Sequence, residues 1–271
     1  MKDDWAVSAQ NWHNITAPLR PSAGELALIT RYLQSFGSGP ESQVLVLGAT
    51  PEYWHLPWPE SACVKAVDSS PAMLEKVWPG PDNTAFHGDW CQLPLAGNSQ
   101  DMVLLDAGLC LLPWPADQAR VVHEIARVLK PGGLCIIRLL VLPASPQSPA
   151  QVYAAVRAGQ VPDLSHLRLQ LWMATQASTG KAATNQDIWW GMKTEFGSWS
   201  ELATYLNYDP AHLEQFGERR LTLTFPIFEF ATLADYELLF CGPPKAFCLE
   251  EIFWPDYPLG DRCPTLVLRK T

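Results

Sequence analysis

Five short apolar runs constrain this chain more than any other feature. They are QVLVL at 43–47, CVKAV at 63–67, TAF at 84–86, DMVLL at 101–105 and LCIIRLL at 134–140. They are rich in β-formers and lack polar alternation, the pattern of parallel strands covered on both faces. Helical signals lie between several of them. Ser70-Pro71 reads as an N-cap with proline at the first helical position, opening PAMLEKVW. Val122, Ile125, Ala126 and Leu129 form an amphipathic stripe that Pro131-Gly132-Gly133 is expected to end. Strands alternating with helices predict a doubly wound sheet.

Two further runs, KAFCLEEIFW (245–254) and CPTLVLRK (263–270), are joined by the turn-rich PDYPLGDR. A connection this short requires antiparallel pairing. The expectation is an α/β protein with a Rossmann-like, mixed seven-stranded sheet, a C-terminal antiparallel hairpin and a helical insertion.

The insertion is expected at 143–220, where the chain turns helix-leaning, Pro-punctuated and Trp-rich. It separates a core unit at 1–142 from the remainder at 221–271. Within the first unit, Ser22 and Glu25 form a capping box for a helix over 22–36. The preceding segment 1–21, with Trp5, Trp12 and His13, is expected to be an arm or short helix packed over the domain.

Charge and cysteine content narrow the partners. Nineteen Lys and Arg stand against 28 Asp and Glu, a formal net charge of −9. That balance argues against a broad phosphate-binding footprint and hence against a nucleic-acid binder. The seven cysteines are scattered and never in a Cys-x-x-Cys pair, which reads as buried reduced thiols. MKDDWAVSAQ has no cationic start followed by an apolar stretch, so no signal peptide is expected. The longest apolar run, at 132–144, is short and contains Arg138, so no membrane span is expected either. A soluble, cytoplasmic protein is the reading.

In an open α/β sheet, ligands bind beyond the carboxyl ends of the strands. Gly48-Ala49-Thr50-Pro51 follows the first strand, Asp68 the second, Gly88-Asp89-Trp90 the third and Asp106-Ala107-Gly108 the fourth. A carboxylate at Asp68 is placed to accept both hydroxyls of a ribose. Asp89 beside Trp90 suits the edge and face of an adenine.

These segments, as VLVLGATPEYW (44–54), VKAVDSSPAML (64–74), HGDWCQLPLAGNSQDMVLLDAGL (87–109) and ARVLKPGGLCIIRLL (126–140), resemble the successive motifs of class I S-adenosylmethionine-dependent methyltransferases. With PLRPS (18–22), LGATPE and VDSSPAMLEKVWPG, the chain resembles a small-molecule-type subgroup. The resemblance implies S-adenosylmethionine as cofactor. It places Gly48, Ala49, Thr50 and Pro51 at the methionine part, Asp68 on the ribose, and Ser69 and Met73 beside the adenine. It also places Asp89 on the adenine amino group, Trp90 on the ring, and Asp106 and Ala107 near the methyl group. The first loop departs from the family pattern: its acidic position is Val46, and its second and third glycines are Thr50 and Glu52. Arg20 is the candidate to hold the cofactor carboxylate.

Methyl transfer relies largely on orientation, so no catalytic residue is forced by the sequence; Asp106 is the nearest candidate base. The insertion would cap the substrate. Trp12, Arg138, Trp172, Trp189 and Trp190 are candidate substrate contacts, with Trp199, Tyr205 and Tyr208 as further lining or as the insertion's own core. Two other readings stand beside an active methyltransferase. One is a non-catalytic binding or regulatory protein on the same fold, and the other a nicotinamide-dependent oxidoreductase.

Overall fold

The computed structural model describes residues 5–35, 41–223 and 227–271. A first short helix, α1 (Trp5–Gln10), precedes α2 (Ala23–Ser35). Ser22 caps α2 with Glu25, whose Oε2 accepts the Ser22 N–H at 2.5 Å. The sheet is built from β1 (Gln43–Leu47), β2 (Cys63–Asp68), β3 (Ala85–His87), β4 (Gln100–Asp106) and β5 (Leu129–Arg138). Its connecting helices are α3 (Pro51–Trp54), α4 (Pro71–Lys76) and α5 (Ala116–Val128).

The helical block comprises α6 (Pro149–Arg157), α7 (Leu164–Thr179), α8 (Asn185–Phe196), α9 (Trp199–Leu206) and α10 (Pro210–Arg220). A two-residue pairing, β6 (Ala183–Thr184) with β7 (Ile227–Phe228), ties the start of α8 to the chain beyond α10. Then α11 (Leu233–Cys241), β8 (Phe247–Phe253) and β9 (Thr265–Lys270) complete the chain.

The seven-stranded sheet runs β3-β2-β1-β4-β5-β9-β8. Strands β1 to β5 pair in parallel, whereas β9 pairs antiparallel to both β5 and β8. This is the expected mixed sheet with its terminal hairpin. Alternate residues of each strand face opposite sides, and both sides are apolar. Leu45, Leu47, Val103 and Leu105 pack with α5 and α11, while Val44, Val46, Met102 and Leu104 pack with α2, α3 and α4. Burial on both faces explains why these strands lack polar alternation.

One local expectation is corrected. Helix α5 ends at Val128, ahead of Pro131-Gly132-Gly133, because Leu129 already pairs with Gln100 of β4. The Pro-Gly-Gly turn lies inside an irregular stretch of β5, where Gly132 adopts φ +77°. A left-handed residue costs least as glycine.

In the helical block, α7 is buried on nearly every side from Leu164 to Ala174. Its core gathers Trp172, Trp189, Trp199 and Phe216 with Cys110 and Leu140 of the sheet domain. The block therefore packs directly over the carboxyl end of the sheet.

Candidate active site

Reversal of strand order between β1 and β4 opens a crevice at their carboxyl ends, the place where such sheets bind ligands. A cavity of about 190 Å³ lies there. Its floor is formed by Gly48, Ala49, Thr50, Asp68, Ser69, Met73, Asp89, Trp90, Asp106 and Ala107. Its roof comes from two sources: Trp5, Ser8, Trp12, Ile15 and Leu19 of the N-terminal segment, and Arg168, Trp172, Asn185, Arg220 and Phe228 of the helical block.

Asp68 ends β2 and is held by backbone donors. Its Oδ2 accepts the Ala49 N–H at 3.0 Å and its Oδ1 the Ser70 N–H at 2.8 Å. These two bonds orient the carboxylate at the end of β2. Ser70 in turn caps α4 by accepting from the Met73 N–H at 3.3 Å. Gly48 stands at φ +96° and donates its N–H to Val67 at 2.9 Å, turning the chain sharply from β1 into α3. Pro51 occupies the first turn of α3, so its missing N–H removes no helical bond there.

Trp90 is wedged into the floor. Its indole N–H donates to the Val67 carbonyl at 2.8 Å. A methyl group on Gly108 would lie 2.7 Å from the ring, and one on Gly48 would lie 3.4 Å away. The indole thus lies across two glycines and fills the space beneath the first loop. Beside it, Asp89 spends Oδ1 on the Cys91 N–H at 2.8 Å and is otherwise exposed. Gly88 does not line the cavity; it permits close packing, since a Cβ there would meet Val67 at 2.9 Å. Ala107 holds φ +53°, an uncommon conformation for a residue with a Cβ and one that concentrates at functional sites.

Asp106 lines the cavity, but its Oδ1 accepts Arg138 Nε at 2.5 Å. Arg138 is fully buried, donates to the Pro18 carbonyl at 2.6 Å and lies 3.7 Å from Glu25. Burial opposes its charge, yet Asp106 and Glu25 hold the guanidinium well above its ordinary pKa. Arg138 is therefore a structural cation beneath the cavity rather than part of its lining. Arg20 also stands outside the lining. Its Nε donates to Glu52 at 2.6 Å and its Nη1 to the Trp12 carbonyl at 3.2 Å, so the fork is committed within the protein.

The tryptophans divide. Trp172 lines the cavity and stacks on Phe228, with ring centroids 3.7 Å apart. Trp12 lines it from the N-terminal segment, beneath the Arg20 guanidinium. Trp189 is wholly buried against Trp199 and Phe216, and Trp190 is half-exposed on the outer surface. Neither lines the cavity: Trp189 is taken up by the core of the helical block, and Trp190, the next residue along α8, points outward.

Residues 45–137 match the family profile of a methyltransferase domain. That segment of the chain is similar to a methyltransferase domain. Over 81 residues the chain is 37% identical to a demethylmenaquinone methyltransferase from Lysinibacillus sphaericus (strain C3-41). The match covers 28% of this chain and only 33% of that protein. Among solved structures, an S-adenosylmethionine-dependent methyltransferase from Methanosarcina mazei superposes with a TM-score of 0.53 at 14% identity, over 93% of this chain and 99% of that one. A Rhodobacter sphaeroides chain described as a zinc-dependent alcohol dehydrogenase superposes at 0.58 and 15% identity, over 98% and 96%. Likenesses at such identity establish the shared fold alone. Among the described residues, no group of three or more His, Cys, Asp and Glu could hold a metal ion. No helix among them is long and apolar enough to cross a membrane.

Arg168, Asn185, Arg220 and Phe228 are lining residues that sequence reasoning did not single out. A signal was present for the first: Arg168 interrupts LSHLRLQLWMA, a segment too apolar for a solvated helix.

Proposed function

We propose that this protein is an S-adenosylmethionine-dependent methyltransferase acting on a small-molecule acceptor within the cavity. The observation that carries the reading is the buried Asp68 carboxylate, fixed by two backbone donors at the strand-order reversal.

The nucleoside half of the cofactor fits the residues present. Asp68 would accept the ribose hydroxyls, Ser69 and Met73 would border the adenine, and Asp89 would take its amino group. Trp90 supports this half from below, because its ring is already packed against Gly48 and Gly108. The methionine half would pass Ala49, Thr50, Asp106 and Ala107. When bound, S-adenosylmethionine supplies a sulfonium-activated methyl group that passes to the acceptor and leaves S-adenosylhomocysteine.

The protein's own work is binding, orientation and exclusion of water. The N-terminal segment and the helical block close the cavity on the side away from the sheet, so an acceptor would be confined against the Asp106–Ala107 corner. Alignment of this kind is worth about 7–11 kcal/mol in favourable cases. Asp106, tied to Arg138, serves as a fixed dipole rather than a mobile base.

Calorimetric titration of the full chain with S-adenosylhomocysteine tests the reading, with NAD as comparison. Saturable binding of the sulfur nucleoside and none of NAD is expected. Binding of NAD alone would replace the reading with a nicotinamide-dependent enzyme. Two features speak against that outcome: α3 spans only Pro51–Trp54, and Tyr53 is buried in the core where a third phosphate-loop glycine would stand. Saturable binding without turnover across a broad acceptor panel would favour the non-catalytic reading, which draws on the departure of the first loop from its family pattern.

A further inference from the structure

The roof of the cavity carries an unusual set of groups for an acidic protein. Arg168 on α7 and Arg220 at the end of α10 both line it, 6% and 0% exposed. They are close enough that each bears on the other's charge. Burial first, and Arg220 second, press the Arg168 guanidinium down to about 9, which still leaves it protonated at neutral pH. Arg168 lies 4.8 Å from the Trp172 ring centre, and its Nε finds no hydrogen-bond partner among the described residues. Arg220 donates from Nη2 to Ser8 Oγ at 2.9 Å, and Ser8 also lines the cavity.

Asn185, at the first turn of α8, is the third member. It is 1% exposed and lines the same cavity, yet neither its Nδ2 nor its Oδ1 has a hydrogen-bond partner among the described residues. Burying such groups unsatisfied is costly, and like charges buried together are costlier still. A fold keeps such an arrangement where a ligand completes it.

We propose that Arg168, Arg220 and Asn185 form the acceptor site, and that the acceptor carries an oxyanion, a carboxylate or phosphate, with a hydrogen-bond donor beside it and a flat apolar body. Guanidinium forks match the oxygens of such an anion. Asn185 Nδ2 donates to a further oxygen, while its Oδ1 accepts from the neighbouring hydroxyl or N–H of the acceptor. Trp172, stacked on Phe228, supplies the apolar wall. This assignment rests on the methyltransferase reading for the cofactor half, and it divides the cavity by charge. Asp68 and Asp89 face the nucleoside, and the arginines face the acceptor.

The test uses the full chain and three small probes: benzoate, phenyl phosphate and the neutral benzamide. Binding is followed by thermal shift and calorimetry, with sodium chloride matching the ionic strength. Benzoate or phenyl phosphate should bind at least about tenfold more tightly than benzamide. The stronger of the two identifies the carboxylate or the phosphate as the preferred group. Arg168→Met should lose that preference while the melting temperature stays level or rises, because it removes a buried like charge. Asn185→Asp, which keeps the shape and provides an internal carboxylate, should also raise the melting temperature and abolish benzoate binding.

Equal binding of benzoate, phenyl phosphate and benzamide overturns the proposal. So does unaltered benzoate affinity in Asn185→Asp. Titration with S-adenosylhomocysteine separates the two levels. Oxyanion binding without sulfur-nucleoside binding removes the methyltransferase reading and supports the anion site. Sulfur-nucleoside binding without oxyanion preference does the reverse.

Discussion

Arg138 Nε lies 2.5 Å from Asp106 Oδ1, with both side chains withdrawn from solvent at the junction of β5, β4 and the N-terminal segment. This pair joins the floor of the cavity to its cover, since the same guanidinium donates to the Pro18 carbonyl. Removing one member of a buried pair leaves an uncompensated charge, which costs about 3–5 kcal/mol. Arg138→Met, which strands Asp106 and Glu25 together, should lower stability by that amount. Urea denaturation checks it, and a loss below about 1 kcal/mol would show that the pair is not structural.

Asp68→Ala should weaken S-adenosylhomocysteine binding by at least about 1–3 kcal/mol, the cost of unpaired hydrogen-bonding groups. It also strips a partner from the Ala49 and Ser70 N–H groups, so the first loop should loosen. Calorimetry reads the affinity, and hydrogen exchange at Ala49 and Ser70 reads the loop. An unchanged affinity would remove Asp68 from the site.

Gly108→Ala probes the Trp90 wedge. The added methyl would lie 2.7 Å from the indole, so the ring must move. Overpacking of this kind costs about 1–3 kcal/mol, and nucleoside binding should weaken with it. Gly159→Ala, where nothing lies within 4 Å and only φ +68° is strained, should leave nucleoside affinity untouched. Equal affinities in the two variants would detach Trp90 from the site.

Trp189 and Trp190 are neighbours in sequence with opposite fates. Trp189→Ala should cost about 3–5 kcal/mol, as for large buried aromatics. Trp190→Ala should stay within about 0.5 kcal/mol, as for surface positions. Thermal denaturation distinguishes them.

Acid should loosen the loop that carries Asp89 and Trp90. Glu124 on α5 accepts the Leu93 N–H at 2.7 Å and pairs with Arg127, which donates to the carbonyls of Leu93 and Leu95. The hydrogen bond from Arg127, opposed by burial and aided by Leu93, holds the Glu124 carboxyl below its ordinary value of 4.5. A depressed carboxyl contributes stability that is present above the unfolded value and lost as pH falls through the folded one. Stability should therefore decline below about pH 4.5, and Glu124→Gln should flatten that part of the profile. An identical acid limb in the variant would exclude Glu124 as its source.

The sheet was legible because its signal is local. Runs such as QVLVL and DMVLL declare burial on both faces, and strand ends then mark Gly48, Asp68, Asp89 and Asp106 as neighbours of the crevice. The hairpin followed from the length of one loop. By itself the sequence determined the architecture and the edge of the sheet at which the cavity opens. Three-dimensional packing decided what individual side chains do there. Trp90 reads equally well as a stacking platform or a wedge until the spacing of β1 and β4 lays it across Gly48 and Gly108. Arg138 and Arg20 look available for ligands until Asp106, Glu25 and Glu52 are brought beside them. Arg168, Asn185 and Arg220 come from three helices with no spacing to link them, and they meet only because α7, α8 and α10 converge over the cavity. Strand and helix patterns are set by backbone periodicity within a few residues. A site built from side chains far apart in sequence depends on helix packing, which leaves no periodic trace in the chain.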